Sequence, residues 1–335
     1  MEARGTQSAM PVESDFRSIL KGQNLKPFLQ RSDSQAWWLL LVNYSLLAVA
    51  FALPILWFNI GTVIISLILL GNRQLGLGIL MHDCVHAALF NSKTLNKRIG
   101  EWCCAGPILA QFEGYRRYHL RHHAKAGTTD DPDYPNYRPY PVAKASLRRK
   151  LIRDTFGITG VKNLALLMLM HAGVVEYDMA YKSANEKRAL SIWDMLVNLA
   201  KNLAPALLFH IALALLLWRL GYVQFYGLWW IAYLTTFQFF SRLRNAAEHA
   251  GVPDLLNTDP RLHARTVYAR WWERLTVAPN HVNYHLEHHW LPAVPPYRLA
   301  AFHAWLKQVG ALNDTSIPVG YGEVLKAMVR PARHA

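Results

Sequence analysis

The feature that most restricts this chain is a run of 23 residues without a charge, Ala36 to Phe58 (AWWLLLVNYSLLAVAFALPILWF). A helix of that length crosses the roughly 30 Å hydrocarbon core of a bilayer at about 1.5 Å per residue. Trp37, Trp38 and Trp57 lie at its ends, where indole rings anchor at the interface. A backbone in lipid must satisfy its own hydrogen bonds, so the run predicts a membrane helix within an all-α integral membrane protein. Composition agrees: 52% of residues are hydrophobic and only 17% charged, against about 25% charged in soluble domains.

A second apolar run follows Asn59-Ile60-Gly61, broken by Asn72-Arg73-Gln74 and continuing as LGLGILMHDCVH. Read as one helix from Ile60, this span (about 60–81) outlasts the hydrocarbon and pushes His82 and His86 into the interface. Arg73 then either snorkels or pairs with a neighbour, or contacts a bound headgroup. Residues 99–112 are apolar but too short to cross, which suits an interfacial or re-entrant segment. From Glu113 to Asp194 the chain is polar and strongly basic. Two further spans are expected at about 195–217 and 222–240, with Trp218, Tyr222, Trp229 and Trp230 as anchors. The organisation is therefore a polar segment (1–35), a four-span membrane domain (36–320) and a tail (321–335). The polar start lacks the features of a secretory signal.

Four spans place both termini on one side. Of the 36 Lys and Arg, 33 fall in segments that this topology puts on that same face. The positive-inside rule makes the face cytosolic, so membrane orientation accounts for the net charge of +14 without a nucleic-acid partner. Three cysteines, Cys84, Cys103 and Cys104, form neither an even framework nor a CxxC motif, in keeping with a reducing side. Cys84 reads as a spacer within its window.

Fifteen histidines stand beside only 22 acidic residues. Eight of them occupy three windows: His82-Asp-Cys-Val-His86, His119-Leu-Arg-His122-His123 and His285-Leu-Glu-His288-His289. Spacings of three and four put imidazoles on one face of a helix. At this histidine frequency a single HxxHH is expected roughly 0.03 times by chance and two on the order of a thousandth, so coincidence is rejected. A fourth window, Asn245-Ala-Ala-Glu-His249, follows the last span and adds a ninth imidazole, while Asn245 could hold a metal-bound water. Zinc takes at most four such ligands, whereas a pair of His-rich sites suits redox-active iron. His171, His263, His303 and His334 lie outside every window and read as surface groups. His210, inside the third span, suits a neutral interhelical hydrogen bond.

These windows, with RNAAEH at the end of the fourth span, resemble the histidine boxes of the integral-membrane fatty acid desaturase and hydroxylase superfamily, over about Leu77 to Leu299. The resemblance implies four membrane helices with a cytosolic histidine-rich cap, a di-iron site, O2 as oxidant and an acyl chain in the membrane as substrate. Carried over by position, His82, His86, His119, His122, His123, His249, His285, His288 and His289 would be iron ligands, and Asn245 a water-mediated one. The three-residue gap in the first box is like that of the acyl-lipid and bacterial branches, which favours a bacterial inner membrane over the endoplasmic reticulum. The third box begins with His rather than the Gln of front-end desaturases. With no HPGG-type cytochrome b5 motif, electrons are expected from a separate protein of ferredoxin or cytochrome b5 type with its reductase.

Imidazoles are neutral as ligands, so carboxylates are expected beside them to fix tautomers and screen the metal charge. Asp83, Glu248 and Glu287 lie inside the boxes, and Asp131 and Asp133 follow the second; Asp130 and the turn sequence Asp131-Pro132-Asp133 also suit solvent. Asn280 and Asn283 are either such supports or caps. The leading expectation is an acyl-lipid desaturase. A hydroxylase or carotenoid ketolase of the same superfamily comes next, although HxxHH departs from the HxxxHH of alkane hydroxylases. A non-catalytic membrane metal protein is the alternative from another class.

Overall fold

A computed structural model describes residues 16–177 and 190–330. His334 and the outer parts of the two terminal segments lie outside these residues. Among the described residues the chain is helical, with only isolated β-bridges. Helix α1 (Asp33–Leu56) starts where the Ser32 hydroxyl accepts from the Gln35 N–H. Helix α2 (Ile60–Val85) starts at a reciprocal Asn59–Thr62 cap, which satisfies two otherwise orphaned N–H groups. At 26 residues it is about 39 Å long, longer than the roughly 30 Å of a hydrocarbon core. Both imidazoles of the first box lie at its C-terminal end. Arg73 is buried and its Nε lies 2.6 Å from Asn72 Oδ1, the neighbour-paired arrangement.

The apolar segment at 99–112 makes a π-helical turn (Gly100–Ala105), buried at Gly100, Cys104 and Ala105 but with Trp102 exposed, and a fully buried 3-10 turn (Gly106–Ile108). Cys84 packs against this segment, away from the imidazoles. Helix α3 (Phe112–Lys125) carries the second box. Helices α4 (Lys144–Thr155) and α5 (Ile158–Ala172) follow, joined at Gly157, whose φ of +76° an L side chain rarely adopts. The apolar α5 lies inside the stretch expected to be polar and basic throughout; its alternation of Leu and Met is local and is diluted by the charges on α4.

Helix α6 (Ile192–Arg219) opens on a Ser191–Asp194 capping box and matches the third expected span. Its His210 receives Tyr226 at 3.1 Å, the interhelical hydrogen bond expected of it. The fourth expected span is not one helix. It divides into α7 (Tyr226–Leu234) and α8 (Thr236–His249) at Thr235, whose φ/ψ of −115°/−85° is not helical. Packing from two sides accompanies the break. A Cβ at Gly160 of α5 would collide with the Leu234 carbonyl, and one at Gly71 of α2 with Thr236. Among the described residues three helices, α1, α2 and α6, are therefore long and apolar enough to cross a membrane. Leu41, Leu56, Leu207, Leu208, Ile211 and Leu215 on α1 and α6 remain exposed, as befits a surface that lipid covers. The six-residue α9 (His285–Trp290) and α10 (Leu299–Gln308) complete the cap over the end of α2.

Candidate metal centre

Four elements bring the nine boxed histidines together: the end of α2, the face of α3, the end of α8 and the buried α9. Their nitrogens form two groups. In one, the ligand atoms of His82, His86, His119, His123 and His288 all lie within 4.8 Å of one another. In the other, His122, His249 and His289 meet the same condition, and His285 joins through its Nε2, 2.9 Å from His249 Nε2. Box two is thus shared. On a helix His119 and His123 point within about 40° of each other, and His122 points off to the side.

Tautomers follow from the partners of Nδ1. A carboxylate or carbonyl oxygen only accepts, so an imidazole facing one carries its hydrogen there and its lone pair on Nε2. His82 faces Asp83 at 3.0 Å, His122 faces Asp131 at 2.8 Å, His249 faces the His263 carbonyl at 2.8 Å and His285 faces Glu248 at 3.3 Å. His249 Nε2 therefore turns its lone pair toward His285 Nε2, 2.9 Å away. That separation is the spacing of two ligands on one cation, since bonds of about 2.1 Å to each nitrogen place neighbouring ligands roughly 3 Å apart. His82 Nε2 and His86 Nε2 are buried without a hydrogen-bond partner, as donors aimed at an ion would be. The residues present fit a pair of metal ions.

Burial, reinforced by neighbouring imidazoles, holds His119, His123, His249, His285, His288 and His289 below the ordinary histidine range, in the neutral form that binds metal. His122 differs. Burial lowers it, but the Asp131 hydrogen bond and the charges of Asp133, Asp131 and Glu248 outweigh that and raise it. This setting favours positive charge at His122 Nε2, whether carried by a proton or by a metal ion. Burial pushes Glu248 up to about 8 although the Arg244 guanidinium, 2.6 Å away, pulls it down.

The remaining expected residues are placed as follows. Asp133 bonds Tyr118 and lies 3.6 Å from His122 Nδ1. Glu287, though inside the third box, turns away from the imidazoles: it accepts from His303 Nδ1 at 2.6 Å and from the Thr266 hydroxyl. Asn245 lies on a cavity wall outside both groups, its Oδ1 accepting from Arg244 at 2.8 Å. Asn280 donates to the Gly76 carbonyl and Asn283 to that of Val267, so both tie down the loop ahead of box three.

Three histidines expected at the surface are buried instead: His171 is 0%, His263 3% and His303 6% exposed. His171 meets the Leu109 carbonyl, 62 residues away in the chain, at 2.8 Å; His263 meets the Asn257 carbonyl at 2.8 Å within the loop after α8, and its ring lies 5.3 Å from that of His289. His303 had a readable signal, since Leu299, Phe302 and Leu306 place it on the apolar face of α10.

Two connected cavities reach the imidazoles. One, about 330 Å³, is mainly apolar and passes Leu75, Gly78 and Ile79 of α2, Leu166 and Leu167 of α5 and Phe237 of α8 before meeting His82. The other, about 560 Å³, runs from His119, His122, His249 and His285 toward Lys150, Arg153 and Lys162. Tyr115, Tyr118, Asn163, Tyr177, Gln238 and Asn245 line both.

Helices bare toward lipid, grouped imidazoles at the end of one of them and an apolar cavity beside those imidazoles define a histidine-rich membrane protein with a candidate metal centre. Residues 60–319 match the family model for fatty acid desaturases, so the chain belongs to that family, whose desaturases are oxidoreductases. It is similar to the chloroplastic omega-6 fatty acid desaturase of Arabidopsis thaliana, 22% identical over 77% of this chain and 54% of that one. It is likewise similar to the sn-1 oleoyl-lipid 12-desaturase of Arthrospira platensis, 22% identical over 87% of this chain and 80% of that one. A shorter match, 39% identical over 25% of this chain and 21% of the relative, is to the sn-1 acyl-lipid omega-3 desaturase (ferredoxin) of Synechocystis. The chain spans 54–65% of the length of its chloroplast relatives.

Proposed function

We propose that this protein is an acyl-lipid desaturase whose nine boxed histidines hold two irons, five imidazoles at one and four at the other. The observation that carries the reading is the gathering of five imidazoles whose ligand atoms lie within 4.8 Å of one another, beside a second group built on His122, His249 and His289. The reaction converts CH2–CH2 to CH=CH: O2 takes up the two hydrogens with two further electrons and two protons, giving two waters. Bound iron would supply the O2 activation needed to take hydrogen from an unactivated methylene, chemistry beyond any side chain.

The chain's own residues then orient and exclude. The apolar cavity past Gly78 and Leu167 takes the methyl end of the chain and keeps water from the reacting carbons. Asp83 and Asp131 fix the imidazoles to which they bond, Glu248 lies 3.3 Å from His285, and Asp133 adds negative charge beside His122. Asn245, on the wall between the two cavities, is positioned to hold a water next to the metal pair.

The broken α7–α8 pair serves as the fourth crossing, which puts both termini and the histidine cap in the cytosol, in a bacterial inner membrane. Electrons come from a separate ferredoxin, as the name of the Synechocystis relative suggests for that enzyme. Residues 36–320 are the catalytic domain. Expression in a host supplied with such a donor, followed by mass analysis of its lipids, tests the reading. Acyl chains lighter by two hydrogens are expected. Chains heavier by one oxygen would assign a hydroxylase instead, and one tightly held zinc without iron would overturn the metal assignment.

A further inference from the structure

The larger cavity carries more positive charge than the metal centre can use. Five cations line it, and two are neutralised within the protein: Arg242 by Asp154, with Nη2 3.0 Å from Oδ1, and Arg244 by Glu248. Lys150, Arg153 and Lys162 have no carboxylate partner among the described residues; Lys150 rests over the Tyr140 ring at 4.8 Å. The fold places them deliberately close. Lys150 and Arg153 are three residues apart on one face of α4, and the turn at Gly157 brings Lys162 of α5 to the same cavity.

The surroundings say from where an anion reaches them. Around that turn the apolar side chains of Ile152, Phe156, Ile158 and Val161 are all exposed, Phe156 to 75%, beside exposed Arg153 and Lys162. Bare apolar groups next to cations are the pattern of a segment seated at a bilayer surface, at the depth of lipid phosphates. Arg73, the other candidate for a headgroup contact, is buried and bonded to Asn72.

We propose that Lys150, Arg153 and Lys162 bind the phosphodiester of a glycerophospholipid, which enters from the bilayer and lays its acyl chain past the imidazoles into the apolar cavity. The assignment rests on the acyl-lipid reading above and names the carrier: a phosphate-bearing lipid in place, rather than an uncharged glycolipid or soluble acyl-CoA.

Binding tests it without turnover. The full chain, purified with its metal, is offered dioleoyl-phosphatidylglycerol, a dioleoyl-galactosylglycerol and oleoyl-CoA, and retained lipid is measured by native mass spectrometry. The wild type is expected to prefer the phospholipid over the glycolipid by about tenfold, roughly 1.4 kcal/mol. K150Q/R153Q/K162Q should lose that preference, and K150R/R153K/K162R should keep it. R148Q/R149Q, which alters exposed cations of α4 that line neither cavity, should keep it too. Should the neutral triple variant fail to fold, the wild type is measured in about 1 M salt, where screening over about 3 Å should abolish the preference. Equal retention of phospholipid and glycolipid by the wild type, or an undiminished preference in the neutral variant or in high salt, would overturn the site. Tighter binding of oleoyl-CoA than of phospholipid would overturn the bilayer source. A wild type that shows the preference yet makes no alkene leaves the site standing and defeats the desaturase reading; alkene formation without the preference does the reverse.

Discussion

The two imidazole groups have the same donors and different supports. The five-membered group leans on α2, a continuous helix anchored along its length by α1, and among the described residues Asp83 is the one carboxylate that bonds to its rings. The four-membered group is assembled from α3, α8 and α9, none longer than 14 residues, and three carboxylates, Asp131, Asp133 and Glu248, lie against His122 or His285. One site is positioned by a rigid element and the other by charged hydrogen bonds. Where backbone does not fix an imidazole, a carboxylate can fix both its ring and its tautomer, while lending the negative charge that a divalent ion needs.

The sharpest way to break this comparison is to remove one ring from each group. His288→Ala, in the five-membered group, should lower bound iron from about two per chain and abolish alkene formation. His289→Ala, in the other, should do the same, with iron content read by elemental analysis and activity by lipid mass. A fully active variant of either would sink the ligand assignment. The carboxylates sharpen the contrast. Asp131→Asn should weaken metal retention by about 10- to 100-fold in a chelator competition. Asp83→Asn should cost less, because α2 still holds His82 in place.

Further from the metals, effects should shift from chemistry to selection and stability. A Cβ at Gly78 meets only Ile108 at 3.5 Å, so Gly78→Leu fits the backbone while filling the apolar cavity. It should disfavour longer acyl chains by about tenfold relative to shorter ones, with iron content unchanged. Smallest at the metals should be His303→Leu, which leaves the buried Glu287 without its imidazole partner. A loss of about 1–3 kcal/mol in stability is expected, seen as a lower melting temperature at equal iron loading. Lost iron in that variant would place Glu287 in support of the metal site after all.

Much of this was legible in the residues because the signals are local. Apolar runs of membrane length read as helices, and α1, α2 and α6 follow them within a few residues. The box spacings marked the imidazoles, and Asp83 and Glu248 could be named because each sits next to a boxed histidine in the chain. Failures came where neighbours far along the chain decide. Thr235 sits in an unbroken apolar run, and its break accompanies the seating of α5 and α2 against Leu234 and Thr236. Glu287 has the same sequence setting as Glu248, yet Thr266 and His303, 21 and 16 residues away, turn it elsewhere.

The sequence by itself marked the boxed histidines, three helices of membrane length and the clustering of Lys and Arg outside them, since each depends on composition or on spacing along one helix. Only the tertiary structure decided how nine imidazoles divide into five and four, and why the second box serves both groups. That division depends on which of several distant elements lies opposite each face of α3, and helix periodicity specifies a face without specifying what meets it.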